Sequence, residues 1–144
     1  MEALRSFGFD QADNVDCAGY IPHGRVAEFL APCDVLVAPY QERVTPHGGS
    51  GDIAAFFSPM KLFEYMALGK AILCSDLPVL HEVLDEQVGV FVPSSDVQAW
   101  THAIASLDDD RNRLRTLGER ARLRFLDRHT WEQRAQRVLA GLPV

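Results

Sequence analysis

Ser58-Pro59-Met60-Lys61-Leu62-Phe63-Glu64-Tyr65-Met66-Ala67-Leu68-Gly69-Lys70-Ala71-Ile72-Leu73-Cys74-Ser75-Asp76 reads as a helix, a one-glycine stop and a buried strand. Ser58 has the side chain of an N-cap, whose hydroxyl accepts from a free backbone N–H of the first turn. Pro59 suits the first helical position, where a missing N–H and a fixed φ cost nothing. Gly69 suits the left-handed residue that ends a helix. A helix tip of this kind gathers unpaired N–H donors and the positive end of the macrodipole, so it attracts anions. Glu64 follows Lys61 by three residues, which puts both on one helical face, and it lies roughly 9 Å along the axis from the cap. That offset suits a nucleoside diphosphate. Its phosphates would meet Ser58 and the N–H groups of Met60 and Lys61, and its ribose hydroxyls would meet Glu64, whose two oxygens can accept both protons of a vicinal diol. The structural alternative is a Lys61–Glu64 surface pair worth ~0.3–0.5 kcal/mol.

Outward from this stretch, strand and helix signals alternate. Residues 15–18 form a short strand pattern, and 19–24 a turn. A helix follows near 25–30 with Val26, Phe29 and Leu30 on one face. The apolar run 35–38, bounded by Asp34 and Pro39, is expected to be a strand covered on both sides. Residues 40–57 are irregular and include His47-Gly48-Gly49-Ser50-Gly51-Asp52, and a loop of this length inside a domain carries function or lacks order. Beyond the strand at 71–74, Asp76 and Pro78 open a helix through 84, and 88–92 is a further strand. Helix 96–107 has Trp100, Ala103, Ile104 and Leu107 at core spacing. Helices at 110–128 and 131–142 complete the chain, with Trp131 as the anchor of the last. The stripe Leu62, Phe63, Tyr65 and Met66 is core packing between helix and sheet. The order predicts an α/β fold, a doubly wound parallel sheet with extra C-terminal helices, in one domain over 1–144. Ligands of such sheets sit at the carboxyl ends of the strands. Pro39, the Ser58 helix tip and Ser75-Asp76-Leu77 therefore share one rim.

The net charge of −6 argues against nucleic acid or an anionic membrane as the main partner. The charge is uneven, however. Residues 97–144 hold nine Arg against six Asp and Glu, and this basic tail is either a solvated helix face or a docking surface for another domain or an anionic membrane. Cys17, Cys33 and Cys74 have neither metal-ligand spacing nor even pairing, which predicts buried free thiols in a reducing, cytoplasmic compartment. No apolar run approaches the ~18 residues of a membrane helix. The five histidines lack i,i+4 partners, so no metal site is implied. Residues 48–51 lack the strand–loop–helix context and the Lys-Ser/Thr of a phosphate loop. No Ser-His-Asp order surrounds a nucleophile elbow.

Taken together, the motifs resemble the C-terminal donor-binding domain of retaining GT-B glycosyltransferases, in particular family 4. The matching pieces are Ser58-Pro59, Lys61-Leu62, Glu64-Tyr65-Met66-Ala67, Gly69-Lys70, Ser75-Asp76-Leu77-Pro78, Leu80 and Glu82-Val83-Leu84. Gly19-Tyr20-Ile21-Pro22, 33–39, Gly89-Val90-Phe91-Val92-Pro93 with Asp96, and Thr130-Trp131-Glu132 follow in the family's order, so the likeness covers about 15–142. It implies a Rossmann-like, partial GT-B domain that binds a nucleotide-sugar donor. The parent enzyme, of hexosyltransferase type, would transfer the sugar to an acceptor, with no cofactor and no metal. It implies that Glu64, the second Glu of an E-x7-E motif, binds the ribose, and that Ser58, Met60, Lys61 and Leu62 line the donor site. The first Glu of that motif would contact the sugar, but Phe56 stands in its place, leaving Asp52 or Glu42 as substitutes and the catalytic residue open. The family's upstream βα units have no counterpart here. The chain accordingly reads as the distal part of the domain, without its N-terminal acceptor lobe and inactive alone. Peripheral contact of the parent with the inner membrane face goes with the basic tail. A non-catalytic GT-B module and a nucleotide-sugar epimerase are the alternatives.

Overall fold

The computed structural model describes residues 12–43 and 58–141. The chain divides into two compact units, Met1–Pro32 and Cys33–Val144. In the first, helix α1 (His23–Leu30) follows Pro22 and buries none of its residues completely. The strand expected at 15–18 does not form, and the Val15 N–H instead closes a turn onto the Ala12 carbonyl at 3.2 Å. Asp13 and Asn14 favour such a turn, and a strand without a laddered neighbour leaves its backbone groups unpaired.

The second unit is built on a parallel sheet of β1 (Val35–Ala38), β2 (Ala71–Ser75) and β3 (Val90–Val92), in spatial order β1-β2-β3. Helices α2 (Met60–Ala67) and α3 (Pro78–His81) connect the strands. They are followed by α4 (Val97–Asp109), α5 (Arg111–Arg128) and α6 (Trp131–Ala140). All five residues of β2 are buried, as expected of a central parallel strand with both faces covered. Side-chain alternation divides its residues between two clusters. Ile72 and Cys74 meet Leu62 and Met66 of α2, Leu80 of α3, and Leu84 and Val88. Ala71 and Leu73 meet Leu107 of α4, with Leu114 and Leu117 of α5. At the edge, β1 is covered less completely than its apolar run suggests, and Val37 is 40% exposed.

α2 starts one residue later than its sequence signals suggest. Pro59 takes the cap position at ψ 67°, no side chain caps the helix, and the Ser58 carbonyl accepts the Met60 N–H at 2.8 Å. The Ser58 hydroxyl lies 3.7 Å from the Met60 sulfur and so is no N-cap. The far end matches its expectation. Gly69 has φ +66°, its N–H donates to the Met66 carbonyl at 3.0 Å, and the Lys70 N–H donates to the Tyr65 carbonyl at 3.4 Å. This is the paired closure of a Schellman motif. Arg122 also donates to the Ala67 carbonyl, placing a cation at the negative end of the helix.

Two further boundaries shift, and one helical face turns. The helix opened by Pro78 ends at His81, short of 84, and Leu84 then turns into the core at 1% exposure. The strand expected at 88–92 begins at Val90, and Ile104 of α4 faces outward while Leu107 faces the sheet. Caps for the last three helices are regular: Asp96, Asp110 and Thr130 accept from the N–H groups of Ala99, Arg113 and Gln133.

Gly118 is buried in the middle of α5. A Cβ there would overlap the Gly69 carbonyl oxygen and lie 2.9 Å from its carbon. Residues before it join one cluster (Leu114, Leu117) and residues after it the other (Ala121, Phe125). We expect Gly118→Ala to lower stability by roughly 2–4 kcal/mol, since backbone cannot yield as a side chain can. Gly69→Ala, strained only through its positive φ, should cost about 1–2 kcal/mol. Urea denaturation of the two variants measures the difference, and equal losses would contradict the close approach.

Candidate functional site

One face of α2, carrying Met60, Phe63, Glu64 and Ala67, forms a wall of a cleft of about 500 Å³ with Ser58 at its end. These positions are three, four and seven residues apart, the spacing of a single helical face. The opposite wall comes from the end of α5 and from α6, with Phe125, His129, Trp131, Arg134 and Arg137. The rings of Phe63 and His129 lie 5.1 Å apart and join the two walls. Glu64 is half-buried. The six ion pairs of the described residues do not include one between Glu64 and Lys61, so the surface pair weighed from sequence is absent and the carboxylate is left to the cleft.

The electrostatics follow from this packing. Burial, followed by the charges of Arg137, Arg128 and Arg124, holds the His129 imidazole below its ordinary range. The Tyr40 and Tyr65 phenols are pushed up, first by burial; the Glu64 charge adds to both. Glu132 is held low by its own backbone N–H and by the Thr130 hydroxyl, a cap-like arrangement at the start of α6. The Arg134 guanidinium carbon sits 5.9 Å from the centroid of the Trp131 ring.

At the carboxyl ends of the strands, the Ser75 hydroxyl is completely buried. It accepts from the Tyr40 N–H at 2.8 Å and donates to the Tyr40 carbonyl at 2.7 Å, fastening the chain that leaves β1 to the end of β2. The Asp76 N–H donates to the Val92 carbonyl at 2.8 Å. Its carboxylate meets His81 Nε2 at 2.7 Å, and the His81 ring stacks on Phe91 at 3.9 Å.

The structure thus gathers Ser58, Met60 and Glu64 in one cleft and sorts the remaining sequence candidates differently. Lys61 is exposed and does not line the cleft. Leu62 is 0% exposed in the core, and its N–H donates to the Pro59 carbonyl at 2.9 Å, so it presents no group to a ligand. The Met60 N–H, expected to be free, is held by Ser58. Of the rim residues, Pro39 and Asp76 are exposed, whereas Ser75 and Leu77 are buried and structural. Glu42 accepts from the Ser94 hydroxyl at 2.8 Å. His47, Asp52 and Phe56 lie outside the described residues. Sequence reasoning missed the second wall. It treated Trp131 as an anchor, but the ring is 76% exposed. The available signal was the run Trp131, Arg134 and Arg137, which at three-residue steps marks one face of the last helix.

The family described as glycosyl transferase-like matches residues 3–140 of the chain. No curated protein sequence matches it. Among solved structures, sucrose-phosphate synthase from Thermosynechococcus elongatus aligns over 98% of the chain with a TM-score of 0.69 and 23% identity. Anabaena HepE in complex with UDP aligns over 98% with a TM-score of 0.72 and 16% identity. The chain spans 34% of the first and 35% of the second. These likenesses show the shared parallel α/β, Rossmann-like fold.

Two outcomes follow from the buried groups. With its folded-state pKa lowered, His129 takes up a proton more readily in the unfolded chain. Its contribution to stability is complete above about pH 6.5 and is lost as pH falls toward its folded value. His129→Gln should therefore flatten the stability–pH curve just below pH 6.5, measured by denaturation at several pH values. Cys74, pushed up to about 12 first by burial and then by Asp76, should resist iodoacetamide at pH 8 in the native protein. Cys17 and Cys33, both half-buried, should be labelled first, as read by mass spectrometry.

Proposed function

The chain belongs to the glycosyl transferase-like family, and from that premise we propose that it supplies the donor-binding part of a retaining glycosyltransferase resembling family 4. In this reading the complete protein moves a sugar, of hexose type, from a nucleoside diphosphate to an acceptor without a metal. The observation that carries it is the Glu64 carboxylate, without a Lys61 partner, on the wall of a cleft of about 500 Å³ shared with Ser58 and Met60. The UDP bound in HepE, a protein of similar fold, supports a nucleotide as the occupant.

Glu64 then accepts from the ribose hydroxyls and fixes the nucleotide's position. The bond between sugar and diphosphate breaks as the bond from sugar to acceptor oxygen forms on the same face. The diphosphate departs with the electron pair, and its departing oxygen takes the proton that the acceptor hydroxyl gives up. Positive groups held ready around that developing charge lower the barrier without reorganising during the reaction. The chain is the distal part of the donor-binding domain, and an acceptor lobe elsewhere in the complete protein closes over the site to exclude water. Phe56, in the position of the motif's first Glu, favours a second reading, a module that binds nucleotide without turnover.

Titration of UDP, GDP and ADP into the complete protein by calorimetry tests the assignment. One nucleotide should bind, and Glu64→Gln should weaken it at least tenfold, ~1.4 kcal/mol, while Lys61→Ala leaves it unchanged. Equal affinity in wild type and Glu64→Gln would remove Glu64 from the site. Binding with no sugar turnover in the complete protein would decide for the module.

A further inference from the structure

α5 carries Arg120, Arg124 and Arg128 at four-residue steps, so the three guanidinium groups leave one helical face. Together with Gln87, Val88, Leu123 and Asp127 they line a second cleft, of about 490 Å³. It shares no lining residue with the cleft at Glu64. Its far side is the turn that feeds β3, at the amino end of that strand.

Arg124 is the fixed member of the three. Its Nη1 meets Asp85 Oδ2 at 2.9 Å, and its side chain is only 20% exposed. Asp85 is itself held by the Gln87 N–H at 3.0 Å. Burial pushes the Asp85 carboxyl up, but its bonds to Arg124 and to the Gln87 N–H, with the charges of Arg124 and Arg128, bring it below its usual range. Arg128 pairs with the neighbouring Asp127 at 3.1 Å, with both side chains at least 66% exposed, a contact that an incoming ligand can replace at little cost. Arg120 makes no ion pair among the described residues. Two carboxylates therefore face three guanidinium groups, and the uncompensated charge lies beside the apolar Val88 and Leu123.

We infer that this cleft binds a phosphate-bearing anion, gripped by Arg120 and Arg128 on either side of the fixed Arg124. Guanidinium groups pair bidentately with phosphate oxygens, which a lysine cannot do. All nine basic residues after position 96 are arginines. Along the helix, Arg120 to Arg128 spans roughly 12 Å, so the row suits two phosphate groups better than one. A soluble diphosphate and neighbouring phospholipid headgroups share this chemistry, and Leu123, 67% exposed, offers the apolar contact that a lipid surface would meet.

The test uses the complete protein and its Arg120→Gln/Arg128→Gln double variant, which keeps the Arg124–Asp85 pair and should melt like the wild type. Inorganic pyrophosphate is titrated by calorimetry, and co-sedimentation is measured with phosphatidylglycerol and phosphatidylcholine vesicles. Wild type should bind in at least one assay, and the double variant should lose about tenfold or more of that affinity, while Glu64→Gln retains it. Loss for pyrophosphate alone identifies a soluble ligand, and loss for phosphatidylglycerol vesicles identifies headgroups. No binding by the wild type, a smaller loss in both assays, or equal binding to phosphatidylcholine would overturn the inference. Because Glu64→Gln is carried alongside, failure here is separable from failure of the nucleotide site.

Discussion

Two glycine backbones in contact hold this molecule's architecture together. Gly118 on α5 lies against Gly69, the residue that ends α2 and precedes β2. The contact lets one helix pass across the amino end of the sheet and join the clusters on both of its faces. Any side chain at position 118 would hold α5 away from the turn and open both clusters, where close packing leaves little room for adjustment. The same turn is tied by its Schellman bonds and by Arg122 on the Ala67 carbonyl. The rotation of α2, and hence the direction in which Glu64 points, is set from this end.

The opposite end of the sheet is fixed differently. Ser75 takes both backbone groups of Tyr40 on one hydroxyl, and Asp76 connects the exit of β2 to Val92 and His81. A polar side chain buried with all its partners satisfied specifies one arrangement, because losing either bond leaves a backbone group without water or protein. The cleft at Glu64 thus takes its first wall from a helix whose far end is locked. Its second wall, at the junction of α5 and α6, brings His129 and two arginines toward that carboxylate.

Much of this was legible in the residues. Gly69, the buried β2 and the existence of the last three helices are local signals, each decided within a short stretch of sequence. The place of Glu64 on one face of α2, four residues from Met60, was legible as well from helical spacing. What failed depended on distant partners. The short pattern at 15–18 looks like a strand but has no ladder neighbour. Ser58 looks like a cap, but Pro59 turns the chain so that the backbone carbonyl takes the N–H that the hydroxyl was expected to serve. Ile104 fits a core stripe, yet α4 rolls so that Leu107 faces the sheet. Gly118 did leave a trace. A glycine inside a run of good helix formers costs about 1 kcal/mol relative to alanine, and such a glycine often marks a close approach. The cleft's second wall left almost none, since Glu64 and Trp131 are far apart in sequence.

The position of α5 also bears on how the chain is made. Neither face of the sheet is complete without residues 111–125, which follow every strand in sequence. During synthesis, β1, β2 and β3 emerge before the helix that covers both of their faces. Loop-closure entropy is spent on these long-range contacts before any of them can reward it. The growing chain therefore presents a sheet whose two faces are only partly covered until residues 111–125 have emerged, and apolar surface left open in this way is what makes a folding intermediate prone to aggregate.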